Sequence, residues 1–304
     1  MAPSSPAFVS PAMASAAAQK QKQMVPCMYI FGDSLVDSGN NNNIMSLARA
    51  NYRPYGVDFA GGAPPGRFTN GLTVVDFLAD MLGFRPPLIP AYAMAQPGDF
   101  ARGLNFASGA AGIRAETGNN LGRHYPLSEQ VEHFQAALRQ MGPNATTPER
   151  LGRCIFYVGM GSNDYLNNYF MPNYYTTSQS YDPAAYAAGL LSMVKKFNRG
   201  GGGKMAGAKF VYLDTVRTGR WLAANAGGNG FTVLDRGCCG VGRNNGQITC
   251  LPMQQPCDDR SKYVFWDAFH PTEAANRIYA ARQFNSSSAS GDAYPMSISQ
   301  LAAL

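Results

Sequence analysis

The sequence predicts an α/β sandwich built around a mostly parallel sheet. Short apolar runs of the length of buried strands alternate along the chain with longer segments that have helical spacing, a pattern typical of parallel sheets covered by helices. A chain of 304 residues, 45% of them hydrophobic, is long enough to bury a full core. We therefore expect a single domain over residues 26–304, preceded by a leader or disordered segment over residues 1–25.

The first half of the chain gives the clearest signals. The apolar run 28–31 lies between Pro26 and Gly32 and predicts a buried strand. Residues 72–82 carry apolar side chains at helical spacing and stop at Gly83, which suits a helix C-cap. The same criteria predict a strand at 104–107, a helix at 127–141 and a third buried strand at 154–158.

The second half continues the alternation and then becomes irregular. A helix over 184–197 is interrupted by the glycines at 200–203. Residues 230–262 predict a loop region that carries four of the six cysteines. The remaining elements are a strand at 209–213 and helices at 217–225 and 271–284, the last with Pro271 in its first turn.

Charge disfavours a nucleic-acid partner. The net charge is +6, from 25 Lys and Arg against 19 Asp and Glu, but most cations are scattered singly. The one dense group surrounds a glycine run and not a set of aromatic platforms, which favours weak attraction to acidic polysaccharide over nucleic-acid binding. No apolar run approaches the roughly 18 residues that a membrane span requires, so we expect no stable membrane insertion.

The cysteines predict disulfides and hence secretion. Their number is even, and none forms the Cys-x-x-Cys pair of a zinc site. Which cysteine pairs with which stays open, since six allow 15 connectivities. Two glycosylation acceptors, at Asn144 and Asn285, agree with a secreted protein, whereas the leader lacks the basic start and continuous apolar run of a signal peptide.

Polar residues follow the predicted strands at the ends where parallel sheets bind ligands. Ser34 follows the first strand, Gly109 the second and Asn163 the third, and a further pair, Asp267 and His270, precedes the last helix. A serine nucleophile needs a base within reach and an acid to orient that base, and the spacing of Asp267 and His270 fits this requirement. The alternatives without catalysis are that Ser34 is a turn or helix-cap serine and that His270 belongs to an ordinary helix cap.

The other two histidines are weaker candidates for a base. His133 lies within a predicted helix, and His124 lies in a loop with no acid nearby in the sequence. A metal site is disfavoured, because the chain has no His-Glu-x-x-His and no second histidine close to His270.

Four sequence blocks taken together resemble those of the plant GDSL esterase/lipases, within the SGNH hydrolase superfamily. They are FGDSLVDSGNNN from residue 31, GLNFASGAAGI from residue 103, GSND from residue 161 and WDAFHPT from residue 266. The cysteine loop GCCGVGRNNGQ, from residue 237, is also similar to that family's. The resemblance covers residues 28–284, with the blocks in the family's order.

The resemblance implies a role for each site residue. Ser34 would be the nucleophile, His270 the general base and acid, and Asp267 the residue that orients His270. The amides of Ser34 and Gly109 and the side chain of Asn163 would form the oxyanion hole. It also implies hydrolysis of carboxylic esters, of lipid or acetylated-sugar type, through an acyl-serine intermediate with no metal or cofactor. We expect a secreted monomer with a flavodoxin-like three-layer α/β/α fold and a small-molecule or polymer-linked ester as substrate.

The chain departs from the family between its third and last blocks. Family members carry there a further strand, ending in Gly-Pro-x-Gly-Cys, and a long helix, whereas here the helix over 184–197 leads almost directly into residues 209–213. The sheet should therefore contain a gap, or its last strand should slide inward by about 4.8 Å. An inward slide would displace Asp267 and His270, and a shift of about 1 Å can cost on the order of 10²-fold in rate. We therefore expect a recognisable active-site constellation in a damaged sheet, with activity reduced or lost.

Three functional hypotheses follow. The first is a secreted serine esterase or lipase. The second is a catalytically impaired, truncated paralogue that keeps the residues without their geometry. The third is a module that binds acylated polysaccharide through the aromatic residues of a tyrosine-rich segment, Tyr165, Tyr169, Tyr174 and Tyr175. The alternative for these residues is that their rings pack against one another.

Overall fold

The computed structural model describes residues 22–85, 88–197, 208–286 and 290–304; residues 1–21 of the predicted leader and the glycine run at 200–203 lie outside these ranges. The strands are β1 Met28–Gly32, β2 Ile155–Gly159, β3 Tyr212–Leu213, β4 Val233–Gly237, β5 Tyr263–Phe265 and β6 Ala293–Tyr294. The helices are α1 Val74–Met81, α2 Leu127–Gln140, α3 Pro148–Leu151, α4 Ser162–Asp164, α5 Thr177–Ser180, α6 Pro183–Phe197, α7 Thr215–Ala224, α8 Glu273–Asn285 and α9 Ile298–Ala302. None of the described helices has both the length and the apolar character needed to cross a bilayer.

Strand β1 is the centre of the main sheet. It pairs in parallel with β2 along its whole length, from Met28 opposite Ile155 to Gly32 opposite Gly159. On its other side, residues 102–108 hydrogen-bond to it, so the predicted strand at 104–107 lies beside β1 even though it is reduced to bridges at Asn105.

Helices cover both faces of β1, which gives three layers. Met28 and Ile30 pack into a cluster with α1 and α8 on one face. Tyr29 and Phe31 pack into a second cluster with α2 on the other face. Because successive side chains of a strand point to opposite faces, a strand that is apolar at every position must be covered on both sides. The predicted α/β class is confirmed.

The main sheet ends at β2 in the described part of the chain. There β2 pairs with β1 alone, and its Phe156 and Val158 side chains are 40% and 55% exposed. The predicted strand at 209–213 is reduced to β3, which pairs antiparallel with β6 outside the main sheet. Of the two outcomes expected for the shortened chain, the structure has the gap and not the inward slide.

Two local predictions differ from the structure. The last long helix, α8, begins at Glu273 and not at Pro271, because Thr272 is its N-cap and accepts a hydrogen bond from the Ala275 N–H. The predicted loop over 230–262 contains β4, which pairs in parallel with β5. In β4 two apolar residues are followed by two charged ones, so its sequence lacks the alternation that would predict a strand.

Three disulfides join the six cysteines, as the sequence predicts for a secreted protein. Cys27–Cys154 ties the segment before β1 to the segment before β2. The other two, Cys238–Cys257 and Cys239–Cys250, fold the segment after β4 back on itself. The cysteine loop is thereby fixed beside β5 and the residues that follow it.

A buried ion pair fixes the start of α1. Arg67 donates two hydrogen bonds of 2.8 Å to the Asp76 carboxylate, and both side chains are at least nine-tenths buried. The backbone N–H and the hydroxyl of the N-cap Thr73 donate to the same carboxylate. Burial alone would raise the pKa of Asp76, but Arg67 and the Thr73 donors hold that pKa below its usual range.

We predict that Asp76→Asn lowers the free energy of unfolding by about 3–5 kcal/mol, because it leaves the Arg67 guanidinium buried without a counter-charge. Asp58→Asn is the matched control: Asp58 also accepts two hydrogen bonds from an arginine, Arg260, but this pair is partly exposed. The control should cost less than about 1 kcal/mol. Urea denaturation of both variants measures the difference. Equal losses of unfolding free energy would show that burial of the Arg67–Asp76 pair does not increase its contribution to stability.

Candidate active site

Ser34 lies in the turn that leaves β1 at its carboxyl end. The N–H groups of Val36 and Asp37 donate to the Asp33 carbonyl, and the Leu35 N–H donates to the Asp33 carboxylate. This turn leaves the Ser34 side chain partly exposed at the edge of the sheet.

Gly32, immediately before this turn, is held on every side. A Cβ at this position would lie 2.4 Å from Val36 Cγ2 and 2.8 Å from the Gly159 carbonyl oxygen, so only glycine fits. The buried Gln130 side chain, on α2, accepts from the Gly32 N–H and donates to the Gly32 carbonyl. Helix α2 thus fixes the end of β1 from which Ser34 projects.

Ser34, His270 and Asp267 form one continuous hydrogen-bonded chain. His270 Nε2 lies 2.8 Å from Ser34 Oγ. His270 Nδ1 lies 2.7 Å from Asp267 Oδ1 and 2.9 Å from Oδ2. Asp267 and His270 are 1% and 3% exposed, so the two side chains interact away from bulk water. With the proton on Nδ1 directed at the carboxylate, Nε2 is free to accept the Ser34 hydroxyl proton.

Asp267 is held from two directions. Within its own turn it accepts hydrogen bonds from the N–H groups of Phe269 and His270. From a distant part of the chain, the Tyr55 hydroxyl donates to Asp267 Oδ2 at 2.8 Å. The Phe68 ring, 5.1 Å from the His270 ring between centroids, lies against the imidazole.

The segment that carries Asp267 and His270 is attached to residues 55–72 and not to the open edge of the sheet. The Thr69 hydroxyl donates to the Pro271 carbonyl, and the Glu273 N–H donates to the Asn70 side chain. Helix α8 also packs against α1. The displacement of His270 that an inward slide would cause therefore does not occur, because the open edge of β2 does not support this segment.

Asn163 lies at the carboxyl end of β2, in α4. Its side-chain NH2 donates one hydrogen bond to the Ala111 carbonyl at 3.0 Å, and its Oδ1 accepts from Asn167 at 2.7 Å. Asn167 thereby fixes which end of the amide is the donor. An NH2 group has two hydrogens, so one of them remains for a substrate oxygen.

Gly109 is close-packed, but its N–H already has an acceptor. A Cβ would lie 2.7 Å from Phe68 Cζ, which explains the glycine. Its N–H donates to Asp37 Oδ2 at 3.0 Å, and Asp37 also accepts from the N–H groups of Gly39 and Asn40. The expectation that Gly109 offers a free amide to a substrate thus differs from the structure, because the buried Asp37 carboxylate needs these donors to offset its desolvation.

The remaining candidates do not join the site. The His133 ring stacks on Tyr92 with its Nε2 3.9 Å from Glu129, and His124 is buried with Nδ1 3.0 Å from the Gly122 carbonyl. In the tyrosine-rich segment, the Tyr169 ring is buried against Tyr186, and Tyr174 is the member exposed by 67%. Among the described residues no group of three or more His, Cys, Asp or Glu side chains is placed to hold a metal ion.

The structure adds three supporting residues to those that the sequence motifs assign. Asp37 lies three positions after Ser34, inside the first block. An acidic residue just before the Asn run is a sequence feature that could have marked it as a supporting residue. Gln130 and Tyr55 are 98 and 212 positions away from the residues that they hold, and no local pattern marks them.

The carboxylate beside Ser34 has a strongly shifted pKa. Burial raises the pKa of Asp33 to about 6, although the Leu35 N–H, the Ser162 hydroxyl and the nearby His270 favour its charged form. Ser162 Oγ lies 3.1 Å from Asp33 Oδ2, so this contact joins the turn after β1 to the loop that carries Asn163.

A family model described as GDSL-like Lipase/Acylhydrolase matches residues 28–201 of this chain. That range includes Ser34, Gly109 and Asn163, and it ends within the glycine run. Asp267 and His270 lie outside the matched range.

Relatives in Arabidopsis thaliana match most of the chain. GDSL esterase/lipase At1g33811 is 47% identical, covering 94% of this chain and 93% of the relative. GDSL esterase/lipase At1g29670 is 45% identical, with 94% of each chain covered. The first alignment extends over 349 positions, more than the 304 residues present here, so part of that relative has no counterpart in this chain.

We predict that Asp33→Asn removes a pH-dependent loss of stability. Because the folded-state pKa of Asp33, about 6, lies above its unfolded value of 3.8, folding is penalised once the carboxyl ionises. The penalty is absent below pH 4 and complete above pH 6, where it reaches about 3 kcal/mol. The unfolding free energies of variant and wild type should be measured from pH 4 to 8. Between pH 4 and 6 the wild type should lose stability relative to the variant.

Asp37→Asn is the comparison variant. Burial raises the pKa of Asp37 to about 6 as well, but an amide cannot accept on both sides, so its NH2 would oppose the Gly109 N–H. This variant should be less stable than Asp33→Asn at every pH, by about 1–3 kcal/mol. A constant difference between Asp33→Asn and wild type across the pH range would contradict the assigned shift.

Proposed function

This chain belongs to the GDSL-like lipase/acylhydrolase family and is a carboxylic ester hydrolase, and from that premise we propose that Ser34, His270 and Asp267 carry out the hydrolysis. The observation that carries the proposal is the hydrogen-bonded chain from Ser34 Oγ through the imidazole to the Asp267 carboxylate. A serine hydroxyl becomes a nucleophile when a neighbouring base can take its proton, and a neutral imidazole oriented by a carboxylate is such a base.

In the acylation half-reaction, Ser34 Oγ attacks the ester carbonyl carbon while its proton moves to His270 Nε2. Asp267 stabilises the imidazolium that forms. The tetrahedral intermediate then collapses, the bond to the alcohol oxygen breaks, and His270 returns the proton to the leaving alcohol. In the second half-reaction a water molecule attacks the acyl-serine by the same route, and the carboxylic acid leaves with Ser34 restored.

The negative charge on the carbonyl oxygen requires donors. We assign this role to the Ser34 N–H and the free hydrogen of the Asn163 NH2 group, whose orientation Asn167 fixes. The Gly109 amide stays a prediction of the resemblance: it would contribute by sharing its hydrogen between the Asp37 carboxylate and the oxyanion.

The substrate class proposed is a carboxylic ester of lipid or acetylated-sugar type, free or linked to a polymer. Leu35 and Phe269, which are 38% and 46% exposed, are the chain neighbours of Ser34 and His270. Apolar side chains at this position favour an apolar acyl group next to the nucleophile. A single-domain monomer is part of the proposal, and so is secretion, which the three disulfides support because such bonds persist in oxidising compartments.

The second candidate is the catalytically impaired paralogue, which the open edge of β2 favours. Unpaired strand edges and exposed apolar side chains such as Val158 promote association between chains. The two candidates differ in a measurable way: an impaired protein would aggregate or fold without turnover, whereas the proposed enzyme hydrolyses p-nitrophenyl acetate or butyrate.

We predict that Ser34→Ala and His270→Ala each lower kcat for p-nitrophenyl butyrate by at least about 10³-fold, since each removes one member of a unit that acts together. His133→Ala is the matched control, because it deletes a histidine that touches Tyr92 and Glu129 and does not touch Ser34. Its kcat should stay within about twofold of wild type. Ester hydrolysis by Ser34→Ala at the wild-type rate would contradict the proposed mechanism.

For the oxyanion hole, we predict that Asn163→Asp lowers kcat by about 10²–10³-fold with little change in KM, because the side chain keeps its shape and loses its donor. Circular dichroism and the melting temperature check that the fold is intact. An unchanged kcat in folded Asn163→Asp would remove Asn163 from the oxyanion hole while leaving the role of Ser34 untouched.

A further inference from the structure

Tyr55 is the most distant contributor to the Asp267 environment. Its hydroxyl donates to Asp267 Oδ2 at 2.8 Å, across 212 positions of sequence. The side chain is fully buried, at 0% exposed. Nothing in the reaction described above uses this residue.

The Tyr55 ring is locked in place by other aromatic rings. It makes edge-to-face contacts with Tyr52, Phe68 and Trp266, at centroid distances of 5.3, 5.9 and 6.1 Å. Trp266 precedes Asp267 in the chain, and Phe68 lies against His270. A donor at the end of a ring packed this way has one available direction, towards Asp267.

Of the donors to Asp267 in the described residues, Tyr55 alone comes from outside its turn. The others are the N–H groups of Phe269 and His270 and the His270 ring, all of which move with the turn itself. They hold the carboxylate relative to His270, but they do not fix the turn relative to β1 and Ser34. Thr69 and Asn70 hold the residues that follow this turn, and the Tyr55 hydroxyl ties the Asp267 carboxylate itself to another part of the chain.

We propose that Tyr55 is a positioning residue, which sets the orientation and the effective negative charge of Asp267 and thereby the basicity of His270. This inference rests on the proposed function. A hydrogen bond to a carboxylate draws part of its charge towards the donor, so Asp267 attracts the imidazolium less strongly with Tyr55 bound than without it. Tyr55 thus limits how firmly His270 keeps the proton that it must later return.

Two effects follow when the hydroxyl is removed. The Asp267 carboxylate loses one of its fixed directions, which lowers kcat. Its full charge then acts on His270 and stabilises the imidazolium, so the acid limb of the kcat/KM profile moves to higher pH. Burial holds the pKa of the Tyr55 phenol well above its usual range, so the hydroxyl remains a donor throughout the pH range of activity.

The other ionisable groups close to this pair are Asp33 and Tyr52. Asp33 lies near His270, and burial raises its pKa to about 6, so it also titrates along the acid limb. The Tyr52 hydroxyl lies close enough to Asp267 to interact with its charge but donates to the Cys250 carbonyl at 2.8 Å. Tyr52 also hydrogen-bonds to the Tyr55 hydroxyl, but burial raises the pKa of the Tyr52 phenol, so Tyr52 stays neutral along the acid limb. Asp33 is present in both proteins, so the difference between the variant and wild-type profiles reports on the Tyr55 hydroxyl.

The test compares Tyr55→Phe with Tyr169→Phe, which deletes another buried tyrosine hydroxyl, one that donates to the Tyr181 carbonyl and not to Asp267. For Tyr55→Phe we expect kcat to fall by roughly tenfold, KM to stay within about twofold, and the acid limb to move up by about half to one pH unit. Tyr169→Phe should keep the wild-type profile. An unmoved limb in Tyr55→Phe, or the same movement in both variants, would overturn the proposal.

A second probe covers the case in which Tyr55→Phe does not fold. Replacing Tyr55 by 3,5-difluorotyrosine keeps the ring and makes the hydroxyl a stronger donor, so the acid limb should move to lower pH. Movement in the other direction, or none, counts against the positioning role. If Ser34→Ala retains activity, the proposed function fails; if Ser34→Ala is inactive while both Tyr55 probes leave the limb unmoved, the positioning role alone fails.

Discussion

The burial of β1 on both faces is the constraint on which the rest of the structure depends. Its side chains pack alternately against α1 and α8 and against α2, so the strand cannot shift without opening one of the two clusters. Ser34 follows this strand directly. Gly109 follows the segment hydrogen-bonded to one side of it, and Asn163 follows β2 on the other. Three of the four parts of the site therefore take their positions from one rigid strand.

The fourth part of the site reaches this strand by another route. Asp267 and His270 follow β5, which belongs to a separate two-stranded sheet, and they are held by residues 55–72 and by the packing of α8 on α1. The open edge of β2 lies outside these contacts. A chain shortened in that region can thus keep its site geometry and still expose apolar residues. In this protein the geometry of the site does not depend on a complete main sheet.

Sequence patterns predicted what is local. The strand at 28–31, the helices around α1 and α2 and the positions of Ser34 and His270 all follow from spacing and from short motifs. The displacement of His270 expected from an inward slide of the last strand does not occur, because the main sheet does not support the segment after β5. The contacts that do support it, such as Tyr55 to Asp267, join residues 212 positions apart and leave no trace in either segment. No local pattern marks Gln130 either, because its hydrogen bonds to Gly32 depend on how α2 packs.

The most direct measurement of the central claim is covalent labelling of the native protein with an alkyl fluorophosphonate, followed by peptide mass spectrometry. An activated Ser34 displaces fluoride and forms one stable phosphonyl ester per chain, and the same chain unfolded in urea does not react. We predict a single adduct on the peptide that contains Ser34. Folded protein that stays unlabelled, or that is labelled at another residue, would contradict the assignment of Ser34 as the nucleophile.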